Sequence, residues 1–136
     1  MVILGRYSEY VYSIFRIVFG FLLLLHGTQK FFGWPPAKQP MGELAGLMLA
    51  SAIIELVCGF LVMIGFFSSL AAFLASGMLA VAYFMVHQPM APMPIQNGGE
   101  PAVAYCFVFL YIAARGSGIL SVDAMMRGSR ATADGV

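Results

Sequence analysis

LVCGFLVMIGFFSSLAAFLASGMLAVAYFMV, residues 56–86, carries no formal charge. One bilayer crossing takes about 20 residues, so this run is too long for a single helix and must turn. The stretch GFFSS, Gly65–Ser69, supplies the turn. Helices are therefore expected over about 42–64 and 68–86. Outward from there, a further apolar segment over about 10–28 contains IVFGFLLLL, and another runs over about 101–120 with Pro101 suited to a first helical turn. The segments are separated by PPAKQP in the first loop and by Pro89, Pro92, Pro94 and Asn97-Gly98-Gly99 in the third, residues that stop helices and form turns. The expected fold is all-α: a four-helix transmembrane bundle with both termini on the same side, one domain over residues 1–136. The first segment is not expected to be a cleaved signal, because Arg16 interrupts it and no small-residue cleavage site follows His26. The tail from Ser121 turns polar and small, and its last residues are expected to be mobile.

Composition agrees with this. Of 136 residues, 61% are hydrophobic and 10% charged, against about 25% charged in a soluble domain. The formal net charge is +1 and no basic stretch suggests nucleic acid. The lipid bilayer is the expected surrounding. Arg6, Arg127 and Arg130 lie on the side of the termini, with Arg115 near it, and Lys30 and Lys38 lie opposite. The positive-inside rule then places the termini in the cytoplasm.

Against that apolar background, Arg16, Glu55 and Arg115 stand out. A charge at mid-bilayer depth costs roughly 3 kcal/mol on insertion scales and is expected to face inward and pair. Counting a rise of about 1.5 Å per residue puts Arg16 and Arg115 roughly 9 Å, and Glu55 roughly 14 Å, from the cytoplasmic edge. One buried cluster, Arg16–Glu55–Arg115, is expected. Two readings stay open: a structural ion cluster that fixes helix packing, or a polar site whose positive excess holds an oxyanion or a quinone carbonyl.

A second polar set falls at the outer face. His26 and Lys30 end the first segment, His87 and Gln88 end the third, and Asn97 and Glu100 precede the fourth. Together they are expected to form an outer-face pocket, with Lys30 at the interface and outside the core. Phe31, Phe32 and Trp34 beside it fit an interfacial aromatic belt. No His/Cys/carboxylate spacing supports a metal, and none is expected. Haem between His26 and His87, and Cu(I) on Met85, Met90 and Met93, are weaker readings than packing. Cys58 and Cys106 form no CxxC and fall at different depths, so no disulfide between them is expected. No motif assigns a catalytic residue.

Several stretches resemble the DoxX family of small membrane proteins. Gly27-Thr-Gln-Lys30-Phe-Phe-Gly33 is similar to that family's G-x-x-K-x-x-G after helix one. Glu55 in IIELVCGFLVMIGFF resembles its helix-two glutamate, His87 ends the third helix as in the family, and NGGEPAVAYCFVFLYIAARGSGILSVD resembles its last helix. Two features depart from many members: the proline-rich third loop, and Phe67–Ser68–Ser69 where a basic residue usually follows. The resemblance implies a four-helix inner-membrane protein. It also implies quinone or thiol redox links, some members being similar to the membrane subunit of thiosulfate:quinone oxidoreductase. On that basis the expected function is a redox accessory subunit that binds quinone or works with an oxidoreductase partner, and a protein partner or a homo-oligomer is expected. The alternatives are a membrane scaffold for a partner, or a small anion or proton transporter.

Overall fold

The computed structural model describes residues 2–133. After a short 3₁₀ turn at Gly5–Tyr7 come α1 (Ser8–Phe32), α2 (Gly46–Ile64), α3 (Ser68–Ala82) with a π-helical turn at Tyr83–His87, α4 (Pro94–Asn97), α5 (Glu100–Arg115) and α6 (Val122–Ala133). There are no strands among the described residues. Three helical stretches, Gly5–Phe32, Gly46–Ile64 and Ser68–His87, are long and apolar enough to cross a membrane.

Local chemistry sets the helix ends. α1 outruns its expected end at Thr28 because nothing in GTQKFF breaks a helix; Gly33, in the left-handed region at φ 66°, ends it. Gly65, at φ 76°, ends α2. Its N–H and that of Phe66 return to the carbonyls of Leu61 and Val62. α5 stops at Arg115, earlier than expected, and the polar tail carries the unexpected helix α6. The expected mobile last residues, 134–136, lie outside the described residues.

Glycines set the α1–α2 register. A Cβ on Gly20 would lie 2.4 Å from Met63 N, one on Gly59 2.5 Å from Leu24 N, and one on Gly27 2.5 Å from Leu56 N. The two backbones touch along an antiparallel seam that only glycine admits. α3 packs on both α2 and α5 through the buried Ala71, Ala72 and Ala75, with Phe109 and Ile112 in the same cluster. Ser76 Oγ donates to the Cys106 carbonyl at 2.8 Å. Aromatic pairs Phe15–Tyr111 and Phe19–Tyr105 join α1 to α5. Leu70, Phe73, Phe84 and Phe107 point outward, each more than 60% exposed, as a lipid-facing surface requires. Cys58 and Cys106 are free thiols.

Candidate functional site

Gly27 against Leu56 brings the end of α1 onto the middle of α2. That approach sets Lys30 beside Glu55, with Nζ 2.8 Å from Oε1. Ser51 stands one turn before Glu55 on the same helix face. Its Oγ accepts from Lys30 Nζ at 2.9 Å and donates to the Met48 carbonyl at 2.8 Å. Glu55 is 6% exposed, and its Oε2 is buried with no hydrogen-bond partner.

The pair sits in the wall of a cavity of about 460 Å³ between α2 and α3, within the range of small-molecule sites. Leu47, Met48, Ile54, Met78, Leu79, Ala82, Met85 and Val86 line it, with Lys30, Ser51, Glu55 and His87 as its polar groups. The carboxylate offsets the ammonium, so the pocket carries no excess positive charge for an anion.

His87 arrives through the π-helical turn, in which Gln88 N–H bonds to the Tyr83 carbonyl at 2.9 Å. Its ring stacks with Tyr83, centroids 6.3 Å apart, and Nδ1 lies 3.1 Å from the Asn97 carbonyl. A carbonyl only accepts, so Nδ1 carries the hydrogen and neutral His87 presents Nε2 as an acceptor. Asn97 holds the loop in place. Its Nδ2 donates to the Ala91 carbonyl at 2.9 Å and to Tyr83 Oη at 3.4 Å, and its Oδ1 accepts from Gly99 N–H at 2.8 Å. Gly99 must be small, because a Cβ there would meet the Tyr83 ring at 2.7 Å.

Of the expected outer-face residues, the structure brings Lys30 and His87 to one pocket and leaves the others out. His26 is exposed and meets Tyr105 edge-on, centroids 6.2 Å apart, on the side of α1 that faces α5. Asn97 is buried within its loop, and Gln88 and Glu100 are exposed. Lys30 is no free interfacial lysine: its side chain is 19% exposed and holds a buried carboxylate. Ser51, Met48 and Met78 are site residues that the sequence reading missed. The i, i+4 pair Ser51–Glu55 was the available signal for the first.

The expected Arg16–Glu55–Arg115 cluster does not form. Along the antiparallel seam Glu55 falls level with residues near Thr28, some 12 residues from Arg16, or about 18 Å. Arg16, fully buried, donates to the carbonyls of Val62 and Met63 at the end of α2 and of Leu120 beyond α5. It is a helix C-terminal cation, stabilised by the last carbonyls of α2 and the helix dipole. Arg115 pairs with Glu9, bonds Tyr111 Oη at 2.9 Å and lies 4.2 Å over the Tyr12 ring. A second cavity, of about 330 Å³, beside Tyr12 and Tyr111 offers a ligand little, because its cation, Arg115, is already engaged.

The family model for DoxX matches residues 11–88. An uncharacterized protein of Haemophilus influenzae is 35% identical over 125 residues, which span 88% of this chain and 93% of that protein. No solved structure matches the chain.

Proposed function

This membrane protein belongs to the DoxX family, and from that premise and its pocket we propose that it binds a quinone between α2 and α3 as a redox accessory subunit. In this reading α5, about 24 Å long, makes a fourth crossing. The whole chain is then one four-helix transmembrane domain in the inner membrane, with both termini cytoplasmic and a protein partner or second copy beside it.

The observation that carries the proposal is the Lys30–Glu55 pair in the wall of a mostly apolar cavity. A quinone needs an apolar slot for its ring and tail and a donor at a carbonyl. The Lys30 ammonium has three hydrogens; Ser51 and Glu55 take two, and the third is left for a ligand oxygen. The neutral pair disfavours an anion, which separates this reading from anion transport.

The test is an organic extract and absorption spectrum of the purified protein, followed by titration with decylubiquinone. Lys30→Ala alone is a poor control, since it strands the Glu55 carboxylate. The double variant Lys30→Met/Glu55→Gln removes both charges at similar volume, a change that buried pairs tolerate. It should keep the fold and weaken binding by about 1.5–3 kcal/mol, the value of a charge-assisted hydrogen bond. A clean extract with no titratable binding, together with a stoichiometric protein partner, would favour the scaffold.

A further inference from the structure

We infer that the pocket distinguishes the oxidation states of its ligand and holds the hydroxyl-bearing, reduced form, with His87 Nε2 as the acceptor that makes the choice. The inference rests on the quinone reading of the same pocket and goes beyond it.

The polar groups of the pocket have more open acceptors than open donors. Lys30 offers one remaining hydrogen. Ser51 has spent its hydroxyl hydrogen on Met48. On the acceptor side, Glu55 Oε2 is buried with no partner. His87 spends its Nδ1 hydrogen on the Asn97 carbonyl, and Nε2, which makes no hydrogen bond among the described residues, keeps its lone pair. The site is short of hydrogens.

A quinone brings two carbonyl acceptors and no donor. It satisfies Lys30 but gives no hydrogen to His87 Nε2 or to Glu55 Oε2, and the latter is buried, where an unfilled acceptor is costly. The quinol has two O–H groups. One oxygen takes the Lys30 hydrogen and an O–H donates to His87 Nε2. The ring cannot simply turn to offer an N–H instead. It is held by the Asn97 carbonyl and the stacked Tyr83, on a loop that Asn97 braces through Ala91 and Gly99. The other titratable groups facing the pocket are Lys30 from α1 and Glu55 from α2, and these pair with each other through Nζ and Oε1. The π-helical turn, a feature frequent at functional sites, delivers the histidine.

The experiment is an anaerobic titration of decylubiquinone and of its quinol into the purified full-length protein in detergent, with wild type and His87→Phe. Wild type should bind the quinol about tenfold more tightly, the effect of roughly one hydrogen bond. His87→Phe should bring the ratio near one, chiefly by loss of quinol affinity. Equal or tighter binding of the quinone by wild type overturns the inference while leaving quinone binding intact. Binding of neither form overturns both. Should His87→Phe fail to fold, nitrogen-15 spectra of wild type with labelled histidine decide, since the chain has 2 histidines. The hydrogen is expected on Nδ1, with an Nε2 shift when quinol is added. A hydrogen on Nε2 at neutral pH, or no shift at saturating quinol, overturns the inference.

Discussion

Two cations, one buried and one half-buried, sit on the same helix, and the chain treats them oppositely. Around Arg16 the polar groups close on one another. The guanidinium caps α2 and ties down Leu120. Asp123 N–H bonds to the Gly65 carbonyl at 3.0 Å, and Tyr12 Oη donates to the Gly116 carbonyl. A Cβ on Gly65 would lie 2.3 Å from that of Ser121. Packing closes directly around the guanidinium, where Arg16 Nε is buried without a partner. Around Lys30 the partners are a carboxylate, a hydroxyl and a cavity, with Glu55 Oε2 unfilled. A buried cation satisfied by fixed backbone carbonyls reads as architecture. One satisfied by side chains at the edge of a void reads as a site.

The contrast can be broken most forcefully at Arg16. Arg16→Met leaves the Met63 and Leu120 carbonyls without their donor; at about 1–3 kcal/mol for each stranded group, a loss on the order of 4 kcal/mol is expected. A thermal melt in detergent should show it. If the variant melts like wild type, the closed end is not architecture. Next comes Glu55→Ala, which strands Lys30 with Ser51 alone. Removing one partner of a buried pair costs about 3–5 kcal/mol, and the partly exposed lysine places the expected loss near 3 kcal/mol. Unlike Arg16→Met, any folded fraction should also lose ligand affinity. Equal affinity per folded molecule would separate the pair from the pocket.

Ser51→Ala removes one neutral acceptor from Lys30 and should cost about 1 kcal/mol, with the fold intact and a modest loss of affinity in the same titration. Glu9→Gln should change neither melting nor binding. Glu9 and Arg115 are both exposed, at 52% and 31% of their side chains, and exposed pairs contribute little. A large effect there would mean that the α1–α5 contact, and not only the closed end at Arg16, holds the helices together.

Much of the fold was legible along the chain because length and charge are one-dimensional signals. The charge-free run 56–86, the turn at Gly65 and the prolines of the third loop placed the helices to within a few residues. Helix α6 was missed because its polar residues resemble a tail when no neighbour is in view. The site was legible only in its ingredients. Lys30, Glu55 and His87 each stand out as polar groups in apolar surroundings, yet depth along the chain points Glu55 to Arg16 and Arg115, and His26 to the pocket.

The reason lies in how depth is counted. Depth along a helix runs from that helix's own end, and a shift of four residues in an end is about 6 Å, enough to change partners. From its sequence alone this chain declares apolar helices, three out-of-place charges and the DoxX pattern, because bilayer thickness and the cost of buried charge act on every residue alike. Which charge meets which was decided by the tertiary structure. Gly20, Gly27 and Gly59 lock α1 to α2 in one register, and that register hands Arg16 to the end of α2 and Lys30 to Glu55.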